Sequence, residues 1–192
     1  SQLRALALVR ELRTVFAFDL AADRAERYAE QMAAELGIDV RPVRDLRAAT
    51  LQSDICVTCT PARRFILARD QIAPGAFVAG VGADNPEKQE LDPALLAHST
   101  VVVDNLEQCA TIGDLHHAID AGLMSRAAVH AELAEIVAGR KPGRRSTAEI
   151  IVFDSTGTAL QDVASAALVY RKALAAGLGV RVALSSAEPV PA

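Results

Sequence analysis

The stretch Gly80-Val81-Gly82-Ala83-Asp84-Asn85-Pro86-Glu87-Lys88 puts a carboxylate, an amine and two glycines into one short segment. It overlaps the end of the apolar run 77–81, which reads as a strand. Its glycines would let the backbone come close to a ligand at the carboxyl edge of a sheet. There Asp84 can act as general acid or base, with Lys88 one turn away to bias its charge or reach a cofactor. The same residues also fit a plainer role, an Asp-Asn-Pro turn followed by a surface lysine.

Three other strand ends carry polar groups. Thr58-Cys59-Thr60-Pro61 closes the apolar run 55–59, and its hydroxyls suit either a ribose or phosphate, or the backbone of the turn itself. Ser155-Thr156-Gly157 follows the run 150–153, where it can present hydroxyls and amides to a ligand or cap the next helix. Asp19 ends the run 14–19. A carboxylate there can accept from both hydroxyls of a ribose and repel a 2′-phosphate, which favours NAD over NADP. It equally suits a helix cap, or a fold that binds S-adenosylmethionine.

These groups need a scaffold that ends several strands along one edge, and the periodicity supplies it. Residues 22–35 repeat apolar positions at helical spacing through Ala25, Tyr28, Ala29 and Met32, and Gly37 stops them. A short strand is expected at 40–43, a helical piece near Leu46, a helix starting at Asp92-Pro93, and buried strands at 55–59, 77–81 and 101–103. Helices are expected over 114–121, 129–138 and 158–176, the second followed by a Gly/Pro-punctuated loop at 139–145 and the last rich in alanine. Apolar strands alternating with helices specify a doubly wound α/β fold with a parallel sheet. The sequence opens on a helix at 1–12, and a parallel βαβ unit cannot begin with its crossover helix. A Rossmann-type domain lacking its first strand and Gly-rich turn is therefore expected over 1–157, with 158–192 as a helix and a fraying tail from Ser185.

Composition narrows the partners. An apolar share of 51% can fill a core, and a net charge of -4 with interleaved signs lacks the basic footprint of a nucleic-acid binder. No stretch is apolar enough for a membrane span, so a soluble cytoplasmic protein is expected. Cys56 and Cys59 lie three apart on a strand and point to opposite faces, which argues for inert thiols. His116 and His117 are expected to diverge, so no metal site is assigned. The basic loop 139–145 reads as a phosphate contact or a solvated turn.

Taken in order, several blocks resemble the ornithine cyclodeaminase/mu-crystallin family. They are Ser1-Gln2-Leu3-Arg4-Ala5-Leu6, Thr58-Cys59-Thr60-Pro61, Gly82-Ala83-Asp84-Asn85-Pro86-Glu87-Lys88-Gln89-Glu90-Leu91-Asp92, Val103-Asp104 with Glu107-Gln108, Glu132-Leu133 with Gly139-Arg140, and Phe153-Asp154-Ser155-Thr156-Gly157 with Asp162. The resemblance implies an NAD cofactor, a small amino-acid substrate, and a homodimer formed through a further domain toward which the last helix returns. It implies that Asp19 binds the adenosine ribose and that Thr58 meets the cofactor near its phosphates. Val81, Gly82, Ala83 and Lys88 would line the cofactor, Ser155 would reach the nicotinamide, Thr156 would face the substrate, and Asp84 would be catalytic. The implied chemistry removes hydride from the amino-acid Cα to give an imine. In a cyclodeaminase the side-chain amine then attacks, ammonia leaves and the returned hydride gives proline. In an amino-acid dehydrogenase the imine is hydrolysed instead, and crystallin-like members can serve as non-catalytic binding proteins.

Overall fold

The strands are short, those at the centre of the main sheet are apolar, and every pairing among the described residues is parallel, as sheets covered by crossover helices require. A computed structural model describes residues 1–180 and Val182. Helix α1 (Gln2–Val9) leads into β1 (Thr14–Ala17), α2 (Ala22–Leu36) and β2 (Asp39–Pro42). Strands β1 and β2 form a two-stranded sheet, on which α2 buries Ala25, Ala29 and Met32, one stripe at helical spacing. Gly37 ends α2 at φ 67, a left-handed turn that a residue with a Cβ adopts at a cost.

The chain continues through α3 (Leu46–Thr50), β3 (Ile55–Thr58), β4 (Arg63–Leu67), β5 (Phe77–Gly80), β6 (Gln89–Leu91) and α4 (Pro93–Ala97). Then follow β7 (Thr100–Val103), α5 (Leu106–Ile112), α6 (Asp114–Asp120), β8 (Ala131–Glu132), α7 (Leu133–Val137) and β9 (Ile151–Asp154). The main sheet has the order β3-β5-β9-β7-β8. Val78, Val101, Val103 and Val152 from its strands pack with Leu95, Leu96 and Leu115 in the core. The register aligns Thr58 with Gly80, Gly80 with Asp154, and Asp154 with Val103, so four strands end in one row.

Four expectations change. Strands β4 and β6 pair with each other beside the main sheet, and the arginines of Arg63-Arg64 hide that segment from an apolar-run reading. The segment 129–138 does not begin as a helix: Ala131 and Glu132 pair with β7 before α7 starts. Asn105 caps an additional helix, α5, by accepting from the Gln108 amide. The rings of His116 and His117 do not diverge but lie 3.8 Å apart at 39°, although each bonds a different carbonyl, those of Gly113 and Lys88.

The chain divides into two compact units, Ser1–Thr156 and Gly157–Ala192. In the second, α8 (Ala159–Ala175) buries none of its residues and exposes Leu160, Val163, Leu168 and Tyr170. The tail expected from Ser185 lies outside the described residues. Among the described residues no helix is long and apolar enough to cross a membrane.

Two buried carboxyls tie the main sheet to α6. Asp154, the last residue of β9, accepts from the amides of Leu115 at 2.8 Å and Asp114 at 3.3 Å. Asp114 Oδ1 accepts in turn from the amides of Glu90 at 2.8 Å and Leu91 at 3.0 Å, while its Oδ2 has no partner. Burial pushes Asp114 up to about 7, and burial together with the neighbouring Asp114 charge raises Asp154 as well. A folded-state pKa above the unfolded value near 3.9 means that stability present below about pH 4 is lost as pH rises toward about 7. Asp114→Asn keeps an acceptor for the Glu90 and Leu91 amides but cannot ionise. Its stability relative to wild type should therefore improve by a few kcal/mol between about pH 4 and pH 7 and level off above, as read by urea unfolding at stepped pH.

Candidate active site at the carboxyl edge of the sheet

Because β3, β5, β9 and β7 end in register, the loops that follow them share one edge. A cleft of about 310 Å³ opens there, lined by Thr60, Pro61, Val81, Gly82, Asp84 and Lys88, with Cys59 beside them. Asp84 is exposed on its rim, and Lys88 Nζ donates to Asp84 Oδ1 at 2.7 Å. That hydrogen bond is the main cause holding the Asp84 carboxyl below its usual range; slight desolvation works against it. Asp84 is thus a carboxylate at neutral pH and reaches solvent. The His117 ring bonds the Lys88 carbonyl at 2.8 Å and fixes the far end of the loop.

Below the cleft lies Glu90, in the middle of β6 and fully buried. Its Oε2 accepts from the Thr58 hydroxyl at 2.7 Å and the Gly82 amide at 2.8 Å, and its Oε1 accepts from the Thr60 amide at 2.5 Å. A Cβ on Gly82 would come within 2.5 Å of both the Glu90 carboxyl and the Thr60 carbonyl oxygen, so a glycine is needed for this close approach.

A second carboxylate gathers the loops after β7 and β9. Asp104 accepts from the Ser155 hydroxyl at 3.1 Å, the Thr156 hydroxyl at 3.2 Å and the Cys109 thiol at 3.1 Å. Ser155 is half-buried and Thr156 buried. Burial, reinforced by the neighbouring carboxylates Asp154 and Asp104, holds the Cys109 thiol protonated.

The structure brings Val81, Gly82, Asp84 and Lys88 together, as the sequence reading requires. Thr58 sits beneath them with its hydroxyl turned to Glu90, and Ala83 is wholly buried. Asp19 follows β1 at the carboxyl end of the smaller sheet. Its Oδ1 accepts from the Ala21 amide at 2.8 Å, so the turn-capping role is real. Glu90 and Asp104 had no role in the sequence reading. An acid between Gln89 and Leu91 carries no periodic signal of burial, and only its place inside a recognised block set it apart.

A hollow of similar size, lined mainly by Phe77, Val102, Leu133, Ile136, Ile151 and Phe153 with Thr100 and His130 beside them, lies on the sheet face and is almost wholly apolar. Cys56 is buried and Cys59 exposed, and among the described residues no three His, Cys, Asp or Glu side chains are placed to hold a metal ion.

The model of the ornithine cyclodeaminase/mu-crystallin family matches residues 1–177. The chain belongs to this family. A putative dehydrogenase of Rhizobium meliloti is 43% identical over 178 residues, covering 93% of this chain and 54% of that protein. An uncharacterised cyclodeaminase of Sinorhizobium fredii is 42% identical over 173 residues, covering 90% and 52%. Among solved structures, the Thermococcus litoralis Δ1-pyrroline-2-carboxylate reductase in complex with NADH and L-proline superposes with a TM-score of 0.91 at 36% identity, covering 94% of this chain and 56% of that one. The chain therefore spans about half the length of the relatives it matches. This places the parallel sheet within the Rossmann-like cofactor domain of the ornithine cyclodeaminase/mu-crystallin family.

Lys88 is the group that keeps Asp84 acidic, so Lys88→Met should move the Asp84 titration up toward the ordinary carboxylate range. Carboxyl-carbon NMR titration of wild type and variant measures this; an unmoved titration would show that the 2.7 Å contact does not govern the charge of Asp84.

Proposed function

We propose that this chain is the NAD-binding part of an enzyme that interconverts an α-amino acid and its imine. The observation that carries this reading is Asp84, kept anionic by Lys88 on the rim of a cleft at the carboxyl ends of β3 and β5. Open parallel sheets bind dinucleotides outside those ends. The residues present fit the cofactor: Gly82 brings bare backbone to the cleft, and Asp19 places a carboxylate after β1 for a ribose hydroxyl. Val81, Gly82 and Lys88 line its path, Ser155 stands at the nicotinamide and Thr156 toward the substrate, both oriented by Asp104.

When bound, NAD supplies a hydride acceptor for the substrate Cα and, once reduced, a donor in the reverse direction. The chain's own groups handle protons and orientation. Asp84 takes a proton from the substrate ammonium or from a water that attacks the imine, and returns it in the opposite direction. Lys88 holds the carboxylate in place and ionised.

For the net reaction we favour an amino-acid dehydrogenase or imine reductase, supported by the names carried by the Rhizobium and Thermococcus relatives. Cyclodeamination of ornithine to proline, implied by the sequence resemblance, is the second reading and is favoured by the Sinorhizobium relative. A non-catalytic binding role is disfavoured by the retained Asp84–Lys88 pair. The reading includes a homodimer, a cytoplasmic location, and an α8 that leaves the cofactor domain for a substrate domain.

The intact protein is incubated with NAD and L-ornithine or L-alanine, and with NADH and a cyclic imino acid, while NADH absorbance, ammonia and proline are followed. Net NADH change supports the dehydrogenase or reductase reading, and ammonia with proline at constant NADH supports cyclodeamination. Either activity should fall at least ~100-fold in Asp84→Asn while NADH affinity stays within about two-fold. Full activity in that variant removes Asp84 from the chemistry.

A further inference from the structure

The amides that end the strands are consumed inside the protein before any ligand arrives. Thr60 and Gly82 donate to Glu90, Val81 donates to the Thr58 carbonyl at 3.0 Å, and Ser155 donates to the Gly80 carbonyl at 2.9 Å. The Thr58 hydroxyl also donates to Glu90, which leaves that oxygen only its lone pairs for a ligand. Phosphate sites are built the opposite way, from amides left free to point at the anion. A carboxylate held directly beneath the loops also repels a phosphate.

We propose that Glu90 is the positioning residue of this crevice: by taking the donors of the β3 and β5 loops it makes them face the cofactor with acceptors, and so seats its ribose and carboxamide end while excluding its phosphates. This rests on the nucleotide reading above and refines it. The expectation that Thr58 meets the cofactor near its phosphates is replaced by acceptance from a ribose hydroxyl. Asp19, which would hold the adenosine end, lies on the separate β1–β2 sheet, and the three donors to Glu90 all belong to the β3 and β5 ends. Loosening Glu90 should therefore disturb one half of the cofactor and spare the other.

In Glu90→Gln one oxygen becomes an NH2 that must face the Thr60 or the Gly82 amide, donor against donor, so the clamp cannot close. The intact protein, wild type and E90Q, is titrated with NADH by fluorescence and with ADP by calorimetry. The expected result is NADH affinity weakened by about ten-fold or more with ADP affinity unchanged within about two-fold. If E90Q shows no cooperative thermal transition, Thr58→Val and Thr58→Ser are compared instead. The valine variant should reproduce the selective loss, and the serine variant, which keeps the hydroxyl, should restore it. Wild type that binds neither NADH nor ADP overturns the nucleotide reading and this proposal with it. Wild type that binds both, with variants that weaken both alike or neither, overturns the role of Glu90 alone.

Discussion

A parallel sheet that opens its carboxyl edge to a ligand leaves backbone amides in the loops beyond the last ladder hydrogen bond, and each needs an acceptor. Here the acceptors include a chain of buried acids. Asp154 at the end of β9 accepts from the backbone of Asp114; Asp114 accepts from the backbone of Glu90; Glu90 accepts from the backbone of Thr60 and Gly82. Each carboxylate fixes the main chain of the next, from the middle of the sheet to its β3 edge. Removing the accepting oxygen of any member leaves amides unpaired in a low-dielectric interior, so the row is fixed in geometry. The cleft inherits its shape from that row.

The fold was largely legible because its signals are periodic. The stripe Ala25, Ala29, Met32 and the apolar runs ending at Thr58, Gly80 and Val103 state their partners' faces directly. What escaped was set by tertiary contact. Arg63-Arg64 lies in a strand only because β6 passes beside it, and Ala131 pairs with β7 at the head of a segment whose composition is helical. In the site, Asp84 and Lys88 were visible because a glycine-rich turn after a strand is a local pattern. Glu90 and Asp104 were not, since their importance lies in donors brought from 32 and 51 residues away in sequence respectively, and no local rule marks an acid as the meeting point of two loops.

The two clamps divide the edge. Glu90 gathers the loops after β3 and β5, while Asp104 gathers Ser155 and Thr156 after β9 and reaches Cys109 on α5. Both use an acid to accept from hydroxyls of the neighbouring loops, which fixes those side chains at the edge.

Burial and neighbouring charge sort the carboxylates of this one edge into different tasks. Asp114 and Asp154 are enclosed, are raised, and bond backbone amides; a proton placed there cannot be handed to a substrate in the cleft. Asp84 is exposed, is lowered by an amine one turn away, and bonds no other loop. A side chain that must pick up and release protons needs solvent access and a charge state that returns after each cycle, and Lys88 provides the second while the open rim provides the first. Along the edge, Asp84 is exposed on the rim while Glu90, Asp114 and Asp154 are enclosed. The buried acids act on chemistry only through the backbone they hold.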